Sequence, residues 1–163
     1  MTKDTKAILK EWEITRWGTT ELIKALGDEG LKLTLPRKGL DTFGKHFEEM
    51  ITVQESAVKA IVTGSMTFDG CKSDNEYEGL MTAEELLEKM EEVDTRMTGV
   101  LADKDGQFEI DWFGKASIPV GHIGWLIMHE AFHFGQLIAF CYVLDVEVPE
   151  SVVKAWALSG ASE

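Results

Sequence analysis

The stretch His129-Glu130-Ala131-Phe132-His133-Phe134-Gly135-Gln136-Leu137, HEAFHFGQL, sets two histidines four residues apart in a run that is otherwise almost wholly apolar. It reads as a zinc protease signature, as a different metal site, or as two core histidines satisfied by hydrogen bonds. The choice decides the fold, because a protease of this kind needs a cleft with a sheet edge to hold an extended peptide. Its third metal ligand usually lies downstream, yet only 30 residues follow His133 and none is a histidine. Glu147 and Glu150 are carboxylates in that segment, but they flank Pro149, where the helix ends. The context therefore favours helices packed on helices.

Working outward, Ser117 and Pro119 open a helix that runs to about Leu144, with Val148 and Pro149 closing it. It is apolar nearly all round, which places it centrally or at a subunit interface. Before it, FEIDWFG (108–114) alternates and reads as a short extended piece after a D-G turn at Asp105-Gly106. Thr82, followed by Ala-Glu-Glu, is an N-cap with carboxylates in the first turn, and Met90, Val93, Met97 and Val100 continue that helix on one face. Phe43, Phe47, Met50, Val53, Ala57, Val58 and Ile61 repeat the helical period to Thr63. Ile8, Leu9, Trp12, Leu22, Ile23 and Leu26 mark a first helix from Thr5 to Leu26, which GDEG interrupts. ESVVKAWALSG adds a final turn or two. Four long helices without a strand-rich region or a repeat predict an all-α chain, a four-helix bundle in one domain over 1–163. The long middle connection points to a crossover.

The bulk numbers agree. A chain of 163 residues, 44% hydrophobic, can bury one sizeable core. With 16 basic and 29 acidic residues, a net charge of −13 repels polyanions, so no nucleic acid and no anionic membrane is expected as a partner. No uninterrupted apolar run approaches the roughly 18 residues of a membrane span, and the charged N-terminus has no apolar signal region. Cys71 and Cys141 are far apart and make no disulfide framework, so a cytoplasmic address is expected.

On a helix, positions i and i+4 share a face about 6 Å apart along the axis, so His129 and His133 can bind one divalent cation. A third ligand has to come from another helix. His46 rides the second helix on a face with Met50 and Val53, whereas His122 stands roughly 10 Å along the axis from His129 and can at most line the pocket. Gln136 and Glu49, each about one turn from a histidine, are candidates to orient an imidazole or to complete the coordination, against a plain solvated role. Glu130, about 100° round the helix from His129, is no ligand to the same ion. Acidic neighbours make Cys71 a poor nucleophile. The five tryptophans read as core or interface fillers.

HEAFHFGQLIAFCYVLDVEVP resembles the last long helix of the DinB-like metalloenzymes, whose pattern runs His-Glu-x-x-His-x-Gly-Gln and ends near a proline. TRWGTTELIKALGDEGLKLTLP resembles that family's first helix and loop, GKHFEEM its helix-two histidine segment, and FEIDWFGKASIPVGHIGWLIMHE its approach to the last helix. The resemblance implies up-down-down-up helix order, a metal held by His46, His129 and His133, and a homodimer. Phe134 stands where many relatives carry a basic residue and no arginine follows in FCYVLD, so the substrate is not carried over with the metal.

Three neutral nitrogen ligands leave an open coordination position, a catalytic arrangement. The leading expectation is a metal-dependent enzyme, with zinc or nickel activating a thiol or water nucleophile on a small-molecule substrate. The resemblance implies a low-molecular-weight thiol as co-substrate. The alternative is a non-enzymatic, stress-related bundle that binds metal for stability or sensing and dimerises through helix four; a peptidase is the minor one. A fourth protein ligand would favour the non-enzymatic reading.

Overall fold

Threonines open three long helices: Thr2 caps α1 (Lys3–Leu31), Thr42 caps α2 (Phe43–Thr63) and Thr82 caps α3 (Ala83–Asp103). Each hydroxyl accepts a first-turn N–H that would otherwise be orphaned, and at Thr82 the Glu85 side chain returns the bond to close a capping box. A fourth long helix, α4 (Pro119–Val143), has no side-chain cap and instead starts on proline, whose missing N–H costs nothing there. Between α3 and α4 lie β1 (Ile110–Trp112) and β2 (Lys115–Ser117), and α5 (Glu150–Ala155) follows. The computed structural model describes residues 1–104, 107–156 and 158. The D-G turn expected at Asp105-Gly106 lies outside them.

The chain is mostly helical, as its periodicity predicts. The first helix runs past Leu26 to Leu31, with a break at Gly27, whose φ of 55° only glycine adopts readily. The extended piece becomes an antiparallel ribbon with Ile110 opposite Ser117, turned by Phe113 and Gly114, both at positive φ. The second strand, Lys115–Ser117, is short and mostly exposed and shows no alternation that a sequence reading could catch. The ribbon is tied to the end of α2 by Met66 N–H to Asp111 O at 2.9 Å and Asp111 N–H to Gly64 O at 2.8 Å.

Helix α1 packs on α4 and α3, and α2 on α3 and α4, whereas α1 and α2 scarcely touch. Apolar side chains from all four close one core, with Leu22, Ile23, Phe43, Phe47, Leu86, Val93 and Leu137 fully buried. Each contributes about 1.5–3 kcal/mol of transfer free energy. At Gly18 a Cβ would stand 3.2 Å from Phe134 Cζ and 3.3 Å from Trp156 Nε1, so this glycine allows α1 to approach α4 closely. Among the described residues one helix, α4, is by length and composition long and apolar enough to cross a membrane. Here its inner face, with Ile123, Leu126, Leu137 and Cys141, is part of the core.

Two connections lie against the α2–α4 pair. The 64–82 segment is held down by Glu48, which accepts the N–H groups of Gly79, Leu80 and Met81 at 2.9, 2.9 and 3.3 Å. The α1–α2 connection folds as a tight loop, with Leu35 N–H bonded to Asp41 O at 2.8 Å and Leu35 and Leu40 buried beneath it.

Candidate metal centre

His46 and Glu49 stand one turn apart on α2, facing His129 and His133 on α4. Glu49 bridges the pair: Oε1 lies 3.3 Å from His129 Nε2 and Oε2 lies 3.1 Å from His133 Nε2. The ligand atoms of Glu49, His129 and His133 all fall within 4.8 Å of one another, so these three could hold a metal ion. His46 is adjacent, its Nδ1 2.9 Å from His133 Nδ1, with no exposed surface. The structure thus brings the three histidines together and adds the Glu49 carboxylate between two of them.

The site's electrostatics suit a cation. Burial works to raise the Glu49 carboxyl, and the His129 and His133 rings beside it overcome this, holding the pKa at about 2. Oε2 is nonetheless buried without a hydrogen bond of its own, since His133 Nε2 is near but off line. A charged, underbonded oxygen beside two imidazole nitrogens is a donor set that an ion would satisfy. Burial, with His133 and Arg37 nearby, lowers His46 to about 3, so its imidazole is neutral.

Arg37, on the α1–α2 loop, donates from Nη1 to Gln136 Oε1 at 3.0 Å, approaches His46 Nε2 at 3.3 Å, and donates from Nη2 to Asp74 Oδ2 at 3.3 Å. A guanidinium only donates, so His46 Nε2 accepts and its Nδ1–H is directed at His133 Nδ1. Gln136 therefore serves Arg37 rather than an imidazole. Nothing in the local sequence PRKG marks Arg37; only the loop's closure brings it to the site.

On the other flank Trp125 stacks on His129, centroids 5.5 Å apart at 27°, and Trp112 lies 4.7 Å from Trp125. Phe68, from the 64–82 segment, packs at 6.0 Å on Trp125. His122 continues the series of rings through Trp112 at 5.8 Å, but its Nε2 bonds to Ala57 O at 2.9 Å in the core. It supports the wall and does not line the site. Cys71 is half-buried beside Ser56, and burial raises its thiol pKa, as does the nearby Glu49 charge, although the Ser56 hydrogen bond opposes them. Burial pushes Cys141 to about 11.

Glu130, the glutamate of the His-Glu-x-x-His motif, points the opposite way. Its Oε1 accepts from Thr19 at 2.7 Å and its Oε2 pairs with Arg16 Nη2 at 3.1 Å, at 1% exposure. Arg16 also donates to Gln54 Oε1 at 2.6 Å, lies 3.4 Å from Asp94 Oδ2 and stacks on Trp12. A carboxylate so engaged is not free to take a proton from water at His129 and His133, which removes the peptidase's general base. The signal for this network was present in α1, where Trp12, Arg16, Thr19 and Ile23 fall on one buried stripe.

The architecture matches the crystal structure of a DinB-like protein from Bacillus cereus ATCC 10987, with a TM-score of 0.67 and 20% identity over 88% of this chain and 95% of that one. The chain has the fold of a DinB-like protein. No protein-family model and no curated protein matches the sequence. At this identity the likeness is one of fold, and the metal-binding reading stands on the donor atoms themselves.

Proposed function

We propose that this chain is a DinB-like metal-binding domain that holds one divalent ion, zinc or nickel, through His129, His133 and Glu49, with His46 as a further nitrogen donor through Nδ1 once its proton has shifted to Nε2. The carrying observation is the convergence of the Glu49 oxygens on both α4 imidazoles, 3.3 and 3.1 Å away, from a second helix. The up-down-down-up order is supported by pins between helices. Asp28 meets Ala83 and Trp12 meets Asp94, which sets α1 against α3. Glu48 meets Met81 and Gln54 meets Asp94, which runs α2 with α3. His46 meets His133 and Ala57 meets His122, which sets α4 against α2.

We infer that the ion serves a metal-dependent transfer or hydrolysis on a small molecule, with a thiol or water as nucleophile. An ion bound there lowers the pKa of a coordinated nucleophile or polarises a substrate oxygen. The protein's part is to hold the donors on two packed helices, to keep Glu49 ionised, and to shield one flank with Trp125 and Phe68. One observation favours the non-enzymatic alternative: Glu49 joins three histidines, and four protein donors close a tetrahedral zinc. Nickel or iron, with larger coordination numbers, would keep open positions on the same donors.

A homodimer through α4 is supported by an uncharged outer stripe on which Met128, Phe132, Tyr142 and Val143 are exposed. Gly124 and Gly135 lie on this helix with nothing within 4 Å of their Cβ positions. The free cysteines and acidic charge favour a cytoplasmic protein with no nucleic-acid partner. Elemental analysis of untagged protein tests the metal, and a screen of thiol transfer to electrophiles with and without that metal tests catalysis. Absence of a stoichiometric transition metal would overturn the first reading; metal present without thiol or hydrolytic turnover would favour the non-enzymatic one.

A further inference from the structure

We propose that Arg37 is the anion anchor of the metal centre, so that the ligands taken there are small molecules carrying a carboxylate close to their metal-binding atom, and that Asp74 holds the carboxylate's place until one arrives. The inference rests on the reading that Glu49, His129 and His133 hold a divalent ion.

A chain of net charge −13 repels small anions as a whole, so beyond the ion's own coordination sphere a ligand carboxylate is held only where a second cation is fixed locally. Arg37 is fixed. Its loop is closed by the Thr34–Thr42 bridge and the Leu35–Asp41 hydrogen bond, and is pegged by buried Leu35 and Leu40. Gln136 of α4 and His46 of α2 then orient the guanidinium from beneath, at 3.0 and 3.3 Å. Arg37 touches one nitrogen of the His46 ring and His133 the other, so a single imidazole separates the anchor from the donor cluster. A ligand with two functional ends a few bonds apart meets both.

The present occupant of the guanidinium is well placed to leave. Asp74 reaches Arg37 through one oxygen at 3.3 Å, and its side chain is 56% exposed. Its backbone is pinned independently, with Leu40 N–H donating to Asp74 O at 3.0 Å. The carboxylate can therefore swing into solvent without moving the 64–82 segment. A solvent-exposed pair of this kind is worth little, whereas a ligand carboxylate tethered to the ion competes at a high effective concentration. Exchange of one carboxylate for another leaves the charge at Arg37 unchanged. A neutral ligand provides nothing to replace Asp74, so the anchor discriminates by charge.

The test compares thioglycolate with its uncharged methyl ester on cobalt-loaded protein, following the thiolate-to-cobalt absorption band, with cobalt content measured for every variant. The wild type should take the acid about tenfold or more tightly than the ester at low salt, as charge-assisted bonds to arginine allow. Arg37→Gln should bring the two near parity and leave the ester's affinity in place, while Asp74→Asn should tighten the acid alone. A preference for the acid that survives Arg37→Gln is chelation by the ion and overturns the proposal, as does equal binding of acid and ester to the wild type. If cobalt does not load, the metal reading fails separately. The same two ligands are then titrated by NMR against metal-free protein, reading the Arg37 and Gln136 side-chain N–H signals. Shifts with the acid alone that vanish in Arg37→Gln uphold the anchor, and their absence overturns it.

Discussion

Replacing Arg16 by methionine should be among the most destabilising single changes outside the apolar core, with a pH dependence that identifies the cause. Methionine fills much of the space but leaves Glu130, 1% exposed, with a charge that only the Thr19 hydroxyl addresses. Breaking a buried pair in this way costs about 3–5 kcal/mol. Protonation of Glu130 limits the cost, because holding it neutral at about pH 8 requires about 1.4 kcal/mol for each unit above an ordinary pKa near 4.5, about 5 kcal/mol in all. At about pH 5.5 the same limit falls to about 1.4 kcal/mol. To this is added about 1–3 kcal/mol at either pH for Gln54 Oε1, fully buried and deprived of its donor. The sign follows from linkage: a carboxyl whose folded pKa is raised makes the fold more stable as pH falls toward its unfolded pKa, so the penalty shrinks on acidification. Burial pushes Glu130 upward even in the wild type, opposed by Arg16, and removing Arg16 removes the opposition. Urea unfolding followed by circular dichroism at the two pH values measures the effect, and Arg16→Met with Glu130→Gln should recover more than half of the loss. A single variant within about 1 kcal/mol of wild type at about pH 8, or no recovery in the double variant, would refute the assignment of a buried, coupled pair.

His133→Ala and Glu49→Gln should each bring bound metal well below one ion per chain by elemental analysis, and full stoichiometry in Glu49→Gln would remove the carboxylate from the donor set. His122→Ala should leave the metal unchanged while lowering stability by about 1–3 kcal/mol, because it removes a buried ring packed on Phe108 and Trp112 together with its bond to Ala57 O. In metal-free protein His46, lowered by burial to about 3, stays neutral in the fold while the unfolded chain protonates near 6.5, so its contribution is lost as pH falls below 6.5. Unfolding free energies from urea titrations should therefore fall more steeply with acid for the wild type than for His46→Gln, by up to about 1.4 kcal/mol per pH unit; parallel curves would count against a neutral buried His46. Chelation should leave the helical circular dichroism intact at room temperature, because the four long helices bury their own core, and its collapse would mark the ion as structural.

The periodicity of the apolar residues determined the helices by itself. Side chains every three or four positions have only one face to bury, and Thr82 and Pro119 mark starts that hold wherever the helix ends up packing. The pairing of His129 with His133 was equally local, since the spacing of one turn fixes it. Tertiary structure alone could decide what faces that pair. Glu49 looked as much like a solvated residue as a ligand until α2 lay against α4, because a helix face acquires meaning only from its neighbour. Glu130 and Arg16 are 114 positions apart, and the charge of one makes the other's burial tolerable, so neither could be read as core alone. Arg37 and Asp74 sit in loops without periodicity, where position is set by closure against the rest of the molecule. Those two residues carry the proposed ligand selectivity, which is why it could not be reached from the order of amino acids.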